Sequence, residues 1–189
     1  MATNSVPIVS FEEYLALEEK AIYKNEFYQG QILAMSGGTL SHERITMNVR
    51  THLRMGLLGK DCEVLGDGLL FRTGLDGLAA YPDALVFCGH MKLEDHRSLV
   101  ALNPEIVIEV LSPSTEAYDR GTKAREYWQC PSIQQHFLIS QDQPLVEIQR
   151  RQANGKITID WIDGREAICP FESLGISISM TDIYERVNF

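Results

Sequence analysis

Apolar residues along this chain change their spacing several times, and each change marks an element. Ser10-Phe11-Glu12-Glu13 has the S-x-x-E spacing of a capping box, which predicts a short helix over residues 11–18. Residues 23–35 read as two short strands around Gln29-Gly30. Over residues 40–58 the apolar positions Ile45, Val49, Leu53 and Leu57 recur every four residues, the spacing of a helix with one buried face. Residues 62–65 and 69–72 then read as strands parted by Gly66-Asp67-Gly68, and residues 81–88 as a third. The polar stretch 89–103 reads as loop with a short helix. Residues 105–111 are rich in Ile and Val, the composition of a strand buried on both faces. Ser112-Pro113-Ser114-Thr115 ends that strand and offers N-cap residues to a helix over 116–128. Strands at 136–140, 145–151 and 156–162 precede a last helical turn at 181–186. With no repeat or linker in the pattern, this order predicts one α/β domain over residues 1–189, built on a mixed sheet flanked by helices.

One residue disturbs the pattern. Glu109 stands inside Ile106-Val107-Ile108-Glu109-Val110-Leu111, a run that otherwise belongs to a core. An ionised carboxylate left unpaired there costs several kcal/mol, so it must be neutralised, paired or bound to a cation. Pairing with an arginine from a neighbouring helix and binding of a metal both satisfy that demand. Asp83 follows Pro82 at the head of the strand over 81–88; alone it reads as an ordinary strand-end residue. Should the two strands be neighbours, Asp83 and Glu109 converge and make a hard oxygen site for Mg²⁺ or Mn²⁺. On the following helix, Asp119, Lys123 and Tyr127 are spaced i, i+4, i+8 and share a face. The amphipathic Tyr127 turns that face inward, carrying the lysine toward the sheet. The competing reading is an exposed Asp119–Lys123 pair worth only ~0.3–0.5 kcal/mol.

Pro82-Asp83, Glu109 in E-V-L-S-P-S-T, Asp119-Arg120, Lys123 and Tyr127 together resemble the bacterial "putative restriction endonuclease" family, long classed as a domain of unknown function. That family belongs to the PD-(D/E)XK nuclease superfamily, and the resemblance runs from about Phe11 to Val187. It implies a restriction-endonuclease-like core with an added N-terminal hairpin and C-terminal strands. It also implies Mg²⁺-dependent hydrolysis of phosphodiester bonds in DNA, with Mn²⁺ able to substitute. Asp83, Glu109 and the Val110 carbonyl would hold the metal, and Lys123 would orient the nucleophile and stabilise developing charge. The superfamily pattern places its lysine two residues after the second acid, where this chain has Leu111. Lys123 is then a counterpart displaced to the following helix.

A second tier of residues joins these. His42 falls within the Ile45–Val49–Leu53 arc and should point inward, to bind phosphate, accept a proton or sit satisfied in the core. Glu26, before the hairpin turn, is a candidate for a further metal or supporting acid. Arg44, Arg50, Arg54, Arg120 and Arg125 are candidates for phosphate contacts, or simply for a solvated helix flank. His52, His90, His96 and His136 show no metal-binding spacing.

Composition narrows the picture further. The chain has 189 residues, ordinary charge content and no apolar run near the ~20 residues of a membrane span. Its N-terminus lacks the basic and apolar regions of a secretory signal, and the expected location is cytoplasmic. Four cysteines stand far apart, which argues against a zinc ribbon and suggests reduced thiols, Cys88 among them at the end of an apolar run. A net charge of −9 runs against tight nucleic-acid binding unless a local patch or a bound cation offsets it. That acidity keeps two rival readings alive: a nuclease-fold binding or scaffold protein that does not cut, and a metal-dependent phosphohydrolase acting on small phosphoesters. Cutting both strands of a duplex favours a homodimer. With no sequence-reading module in evidence, specificity would come from the core's loops, from dimerisation or from a protein partner.

Overall fold

The computed structural model describes residues 8–35, 37–94 and 99–189. Helix α1 (Phe11–Glu18) begins on the expected capping box: Ser10 Oγ accepts from the Glu13 N–H, and the Glu13 carboxylate accepts from the Ser10 N–H. The hairpin β1 (Asn25–Tyr28) and β2 (Gln31–Ala34) follows, turning at Gln29 and Gly30, both at positive φ. Helix α2 (Leu40–Gly56) buries Ile45, Val49 and Leu53 on one face. The strands β3 (Cys62–Gly66), β4 (Leu70–Arg72), β5 (Ala79–Ala80) and β6 (Ala84–Cys88) come next, then β7 (Val100–Ala101) and β8 (Ile106–Leu111).

A crossover helix then runs in three pieces. They are α3 (Glu116–Tyr118), a π turn over Asp119–Lys123, and α4 (Ala124–Tyr127). Strands β9 (Gln135–Ser140), β10 (Leu145–Arg151) and β11 (Ile157–Asp163) lead to β12 (Ile168–Phe171), β13 (Ile176–Ser179) and α5 (Met180–Ile183).

The central sheet has six strands in the order β11-β10-β9-β8-β6-β3. It is mixed: β8 and β9 run parallel and the other neighbours antiparallel. Parallel neighbours need a crossover connection, and the helix at 116–127 supplies it. Beside it lies a five-stranded sheet, β2-β1-β5-β4-β7, and a two-stranded β12-β13 ribbon closes the chain.

Alternation along β8 divides its side chains between two cores. Ile106, Ile108 and Val110 pack with Ile45, Val49 and Leu53 of α2. Val107 faces the opposite way, into a core shared with Phe71 and Leu78, Phe87 and Tyr127. This second core joins the two sheets, and Glu109, two residues from Val107, points to its side.

Several expectations need correction. The strands at β3 and β4 belong to different sheets, and β5, β7, β12 and β13 add to the strands expected. No helix is found among the described residues of 89–103; β7 and a Leu93–Ala101 bridge occupy part of the stretch, and residues 95–98, His96 included, lie outside the described residues. The expected 116–128 helix is interrupted by the π turn. Thr115 stands at the N-cap of α3 but makes no side-chain capping bond. Cys62 and Cys88 are joined in a disulfide, not reduced, because β3 and β6 pair in a register that sets them directly opposite. Cys130 and Cys169 are free and buried. Most of residues 1–10, read as lacking a secretory signal, lie outside the described residues; no described helix is long and apolar enough to cross a membrane.

Candidate active site

Strands β6 and β8 are antiparallel neighbours, with Ala84 opposite Ile108. That pairing brings Asp83, one residue ahead of β6, beside the far half of β8. Its Oδ2 accepts a hydrogen bond from the Val110 N–H at 2.7 Å and lies 3.2 Å from His42 Nε2. His42 sits in the first turn of α2, whose N-cap Thr39 accepts from the His42 N–H. Burial would lower the His42 pKa, but its hydrogen bond to Asp83 and the Asp83 charge raise it above the ordinary value.

Glu109 is buried, as its neighbours in the strand require, and it is not alone. Tyr127 donates its hydroxyl to Glu109 Oε1 at 2.6 Å, and Lys123 Nζ lies 3.2 Å from the same oxygen. Lys123 is itself buried and meets two more carboxylates, Glu26 Oε1 at 2.8 Å and Asp119 Oδ1 at 3.3 Å. The pairing demanded of Glu109 is thus met by a lysine of the crossover helix, and the exposed Asp119–Lys123 pair is ruled out. Removing one member of such a buried set strands the others, at a cost of about 3–5 kcal/mol.

Electrostatics follow from this crowding. Burial pushes the Glu109 carboxyl above its ordinary value; the Lys123 ammonium opposes that, while the Asp119 and Asp83 charges reinforce it. Burial would lower Lys123, but Glu109, Glu26 and Asp119 outweigh it and hold the amine protonated well above its ordinary range.

The π turn explains the lysine's aim. The Ala124 N–H is directed at the Asp119 carbonyl five residues back, which widens the helix by one residue between Asp119 and Tyr127. Asp119 and Lys123 are both buried within it, and Tyr127 follows on the same inward side. Tyr118, which spacing did not single out, also faces the site, with its ring centre 5.7 Å from Lys123 Nζ. At α-helical spacing Tyr118 and Lys123 point apart, so the sequence holds no signal for it.

These groups line a cavity of about 430 Å³ together with Met35, Gly38, Tyr81 and Ser112. Four of its lining residues are carboxylates, Glu26, Asp83, Glu109 and Asp119, against Lys123 and His42. Other candidates are engaged elsewhere. Arg44 donates to the Arg186 carbonyl, Arg120 pairs with Glu116 and Glu147, and Arg125 meets Glu126 and Tyr28. His136 is fully buried behind Tyr127 with its ring edge-on at 5.3 Å.

The donor set suits a hard divalent cation. Glu26 Oε1 and Asp119 Oδ1 are buried oxygens with no hydrogen-bond donor beyond the ion pair to Lys123, so negative charge exceeds positive here. Among the described residues, no three His, Cys, Asp or Glu side chains are spaced as a complete metal cage. Mg²⁺ does not require one, since it keeps several waters and binds through one or two carboxylates together with substrate oxygens.

A six-stranded mixed sheet, its crossover helix and this acidic cavity define an α/β protein of nuclease-like fold. The same fold is seen in the crystal structure of a "putative nuclease belonging to DUF820" from Anabaena variabilis. The two align with a TM-score of 0.79 over 95% of this chain and 99% of that one, at 19% identity. A family model described as "Putative restriction endonuclease" (Uma2) matches residues 11–181, and the chain belongs to that family. Two Synechocystis relatives show the same kinship. The "Uncharacterized protein slr1290" is 34% identical, covering 97% of this chain and 95% of its own. The "Uncharacterized protein sll1609" is 30% identical, covering 75% and 80%.

Proposed function

We propose that this chain is a Mg²⁺-dependent endonuclease hydrolysing phosphodiester bonds in DNA, with residues 1–189 forming one nuclease-like domain. The observation that carries the reading is the convergence of Asp83, Glu109 and Lys123 on one cavity from three separate elements. Asp83, Glu109 and the Val110 carbonyl would hold the cation. A bound divalent ion supplies Lewis acidity toward the phosphodiester and offsets its charge.

The chain's own groups do the rest. Lys123, kept protonated by its carboxylate neighbours, presents a fixed positive charge to the phosphate. Glu26 and Asp119 hold its ammonium in place, and Tyr127 fixes the rotamer of Glu109 by hydrogen bonding. His42 steadies the Asp83 carboxylate and, lining the cavity, would meet a substrate oxygen. Membership of the Uma2 family supports nuclease chemistry and favours DNA as the polymer.

Supercoiled plasmid incubated with Mg²⁺ or Mn²⁺ tests this reading. Wild type should nick it, and Asp83→Ala and Glu109→Ala should each lose at least roughly a hundredfold in rate. Equal traces of nicking by all three proteins would assign the activity to a contaminant. Cleavage of small phosphoesters without plasmid nicking would point instead to a phosphohydrolase.

A further inference from the structure

Asp83 stands just before the first paired residue of β6, so the orientation of its backbone is not set by its own strand. It is set from α2. Arg50 Nε donates to the Asp83 carbonyl oxygen at 2.6 Å, and Arg50 Nη2 donates to Asp67 Oδ1 at 2.9 Å. Asp67 is gripped from its other side by Lys24, whose Nζ donates to Asp67 Oδ2 at 2.9 Å and to the Asp67 carbonyl at 2.5 Å. Lys24 lies two residues before Glu26.

The clasp therefore ties the turn after β3 to three site-bearing segments: the approach to β1, the strand that carries Glu26; α2, which carries His42; and the start of β6, just after Asp83. None of Lys24, Arg50 and Asp67 lines the cavity. The fit is close as well as polar. The guanidinium lies flat on Gly66, where an added Cβ would stand 2.3 Å from Arg50 Cζ. A side chain at position 66 would push the guanidinium off this seat.

We propose that Arg50, locked by Asp67 and Lys24 and seated on Gly66, is a positioning residue that aims the Asp83 carboxylate into the cavity. This rests on the reading of that cavity as a metal-dependent nuclease site. Asp83 is held at both ends, its carbonyl by Arg50 and its carboxylate by His42 and the Val110 N–H. Loss of the arginine frees the first end, and the carboxylate swings with the backbone. Arginine suits the task because one rigid fork serves two acceptors at once, which a lysine cannot do. Partly exposed ion pairs add little to stability, so the clasp acts chiefly on geometry, and that separates it from a merely structural contact.

The test is calorimetric titration of the whole chain with Mn²⁺, run beside thermal unfolding and plasmid nicking. Arg50→Ala and Gly66→Ala should weaken Mn²⁺ binding roughly tenfold or more, the scale seen when a group supporting a metal ligand is lost. Their unfolding midpoints should move by only a few degrees. Arg50→Lys should fail to restore affinity. Leu174→Ala, a buried residue outside the cavity, should lower the midpoint and leave Mn²⁺ affinity unchanged. Wild-type affinity in Arg50→Ala and Gly66→Ala overturns the clasp while leaving the nuclease reading intact. Loss of affinity in Leu174→Ala in step with its stability overturns it too. Absence of Mn²⁺ binding in wild type overturns the nuclease reading, and the clasp with it.

Discussion

Lys123 and His136 are both buried on the Tyr127 side of the sheet and answer burial differently. Lys123 has three carboxylates and stays charged; His136 has none and stays neutral. Burial drives the His136 imidazole down to about 3, the Gln149 side chain opposing the shift and the Lys123 charge reinforcing it. Below pH 6.5 the unfolded chain takes up a proton that the folded chain refuses until about pH 3, so acidification favours unfolding across that window. Each pH unit there costs roughly 1.4 kcal/mol. The raised Glu109 carboxyl works the other way in this range, so the histidine is read by difference: in thermal melts from pH 7 to 4, His136→Asn should lose less stability than wild type. An equally steep fall in the variant would mean that the carboxylates, not this histidine, govern the acid limb.

Among the elements, the crossover helix shows most clearly where sequence reading succeeds and where it stops. The i, i+4, i+8 spacing of Asp119, Lys123 and Tyr127 correctly gave a shared inward face, because side-chain direction repeats along any helix. It could not show the π turn, since nothing local distinguishes five-residue from four-residue bonding in D-R-G-T-K. Glu109 was legible as a misfit in an apolar strand. The meeting of Glu26 with Lys123 was not, because it depends on how two sheets pack across 97 positions of chain (123 − 26). Likewise Arg50 read as a flank residue, and only the packing of α2 on Gly66 reveals its grip on Asp83. The disulfide is illegible for a related reason: strand register, not spacing in the chain, sets Cys62 opposite Cys88. Deletion of Gly121 would convert the π turn to ordinary α-helix and rotate Asp119 by about 100° relative to Lys123. The variant should keep its helix content by circular dichroism and lose plasmid nicking; unimpaired nicking would show that the turn has no part in the site.

On the scale of the whole molecule, the net charge of −9 looks hostile to a polyanion, yet part of it is concentrated where a cation would neutralise it. Four carboxylates share one cavity, and a single lysine stands among three of them. A divalent ion there would change the local field from repelling phosphate to attracting it. A homodimer would place two such cavities on one duplex. The most direct test is a crystal structure of the protein soaked with Mn²⁺, read by anomalous scattering. A manganese peak should lie between Asp83 and Glu109, within ligand distance of both. A cavity without manganese, or a peak that leaves Asp83 or Glu109 out, would contradict the metal-dependent nuclease reading.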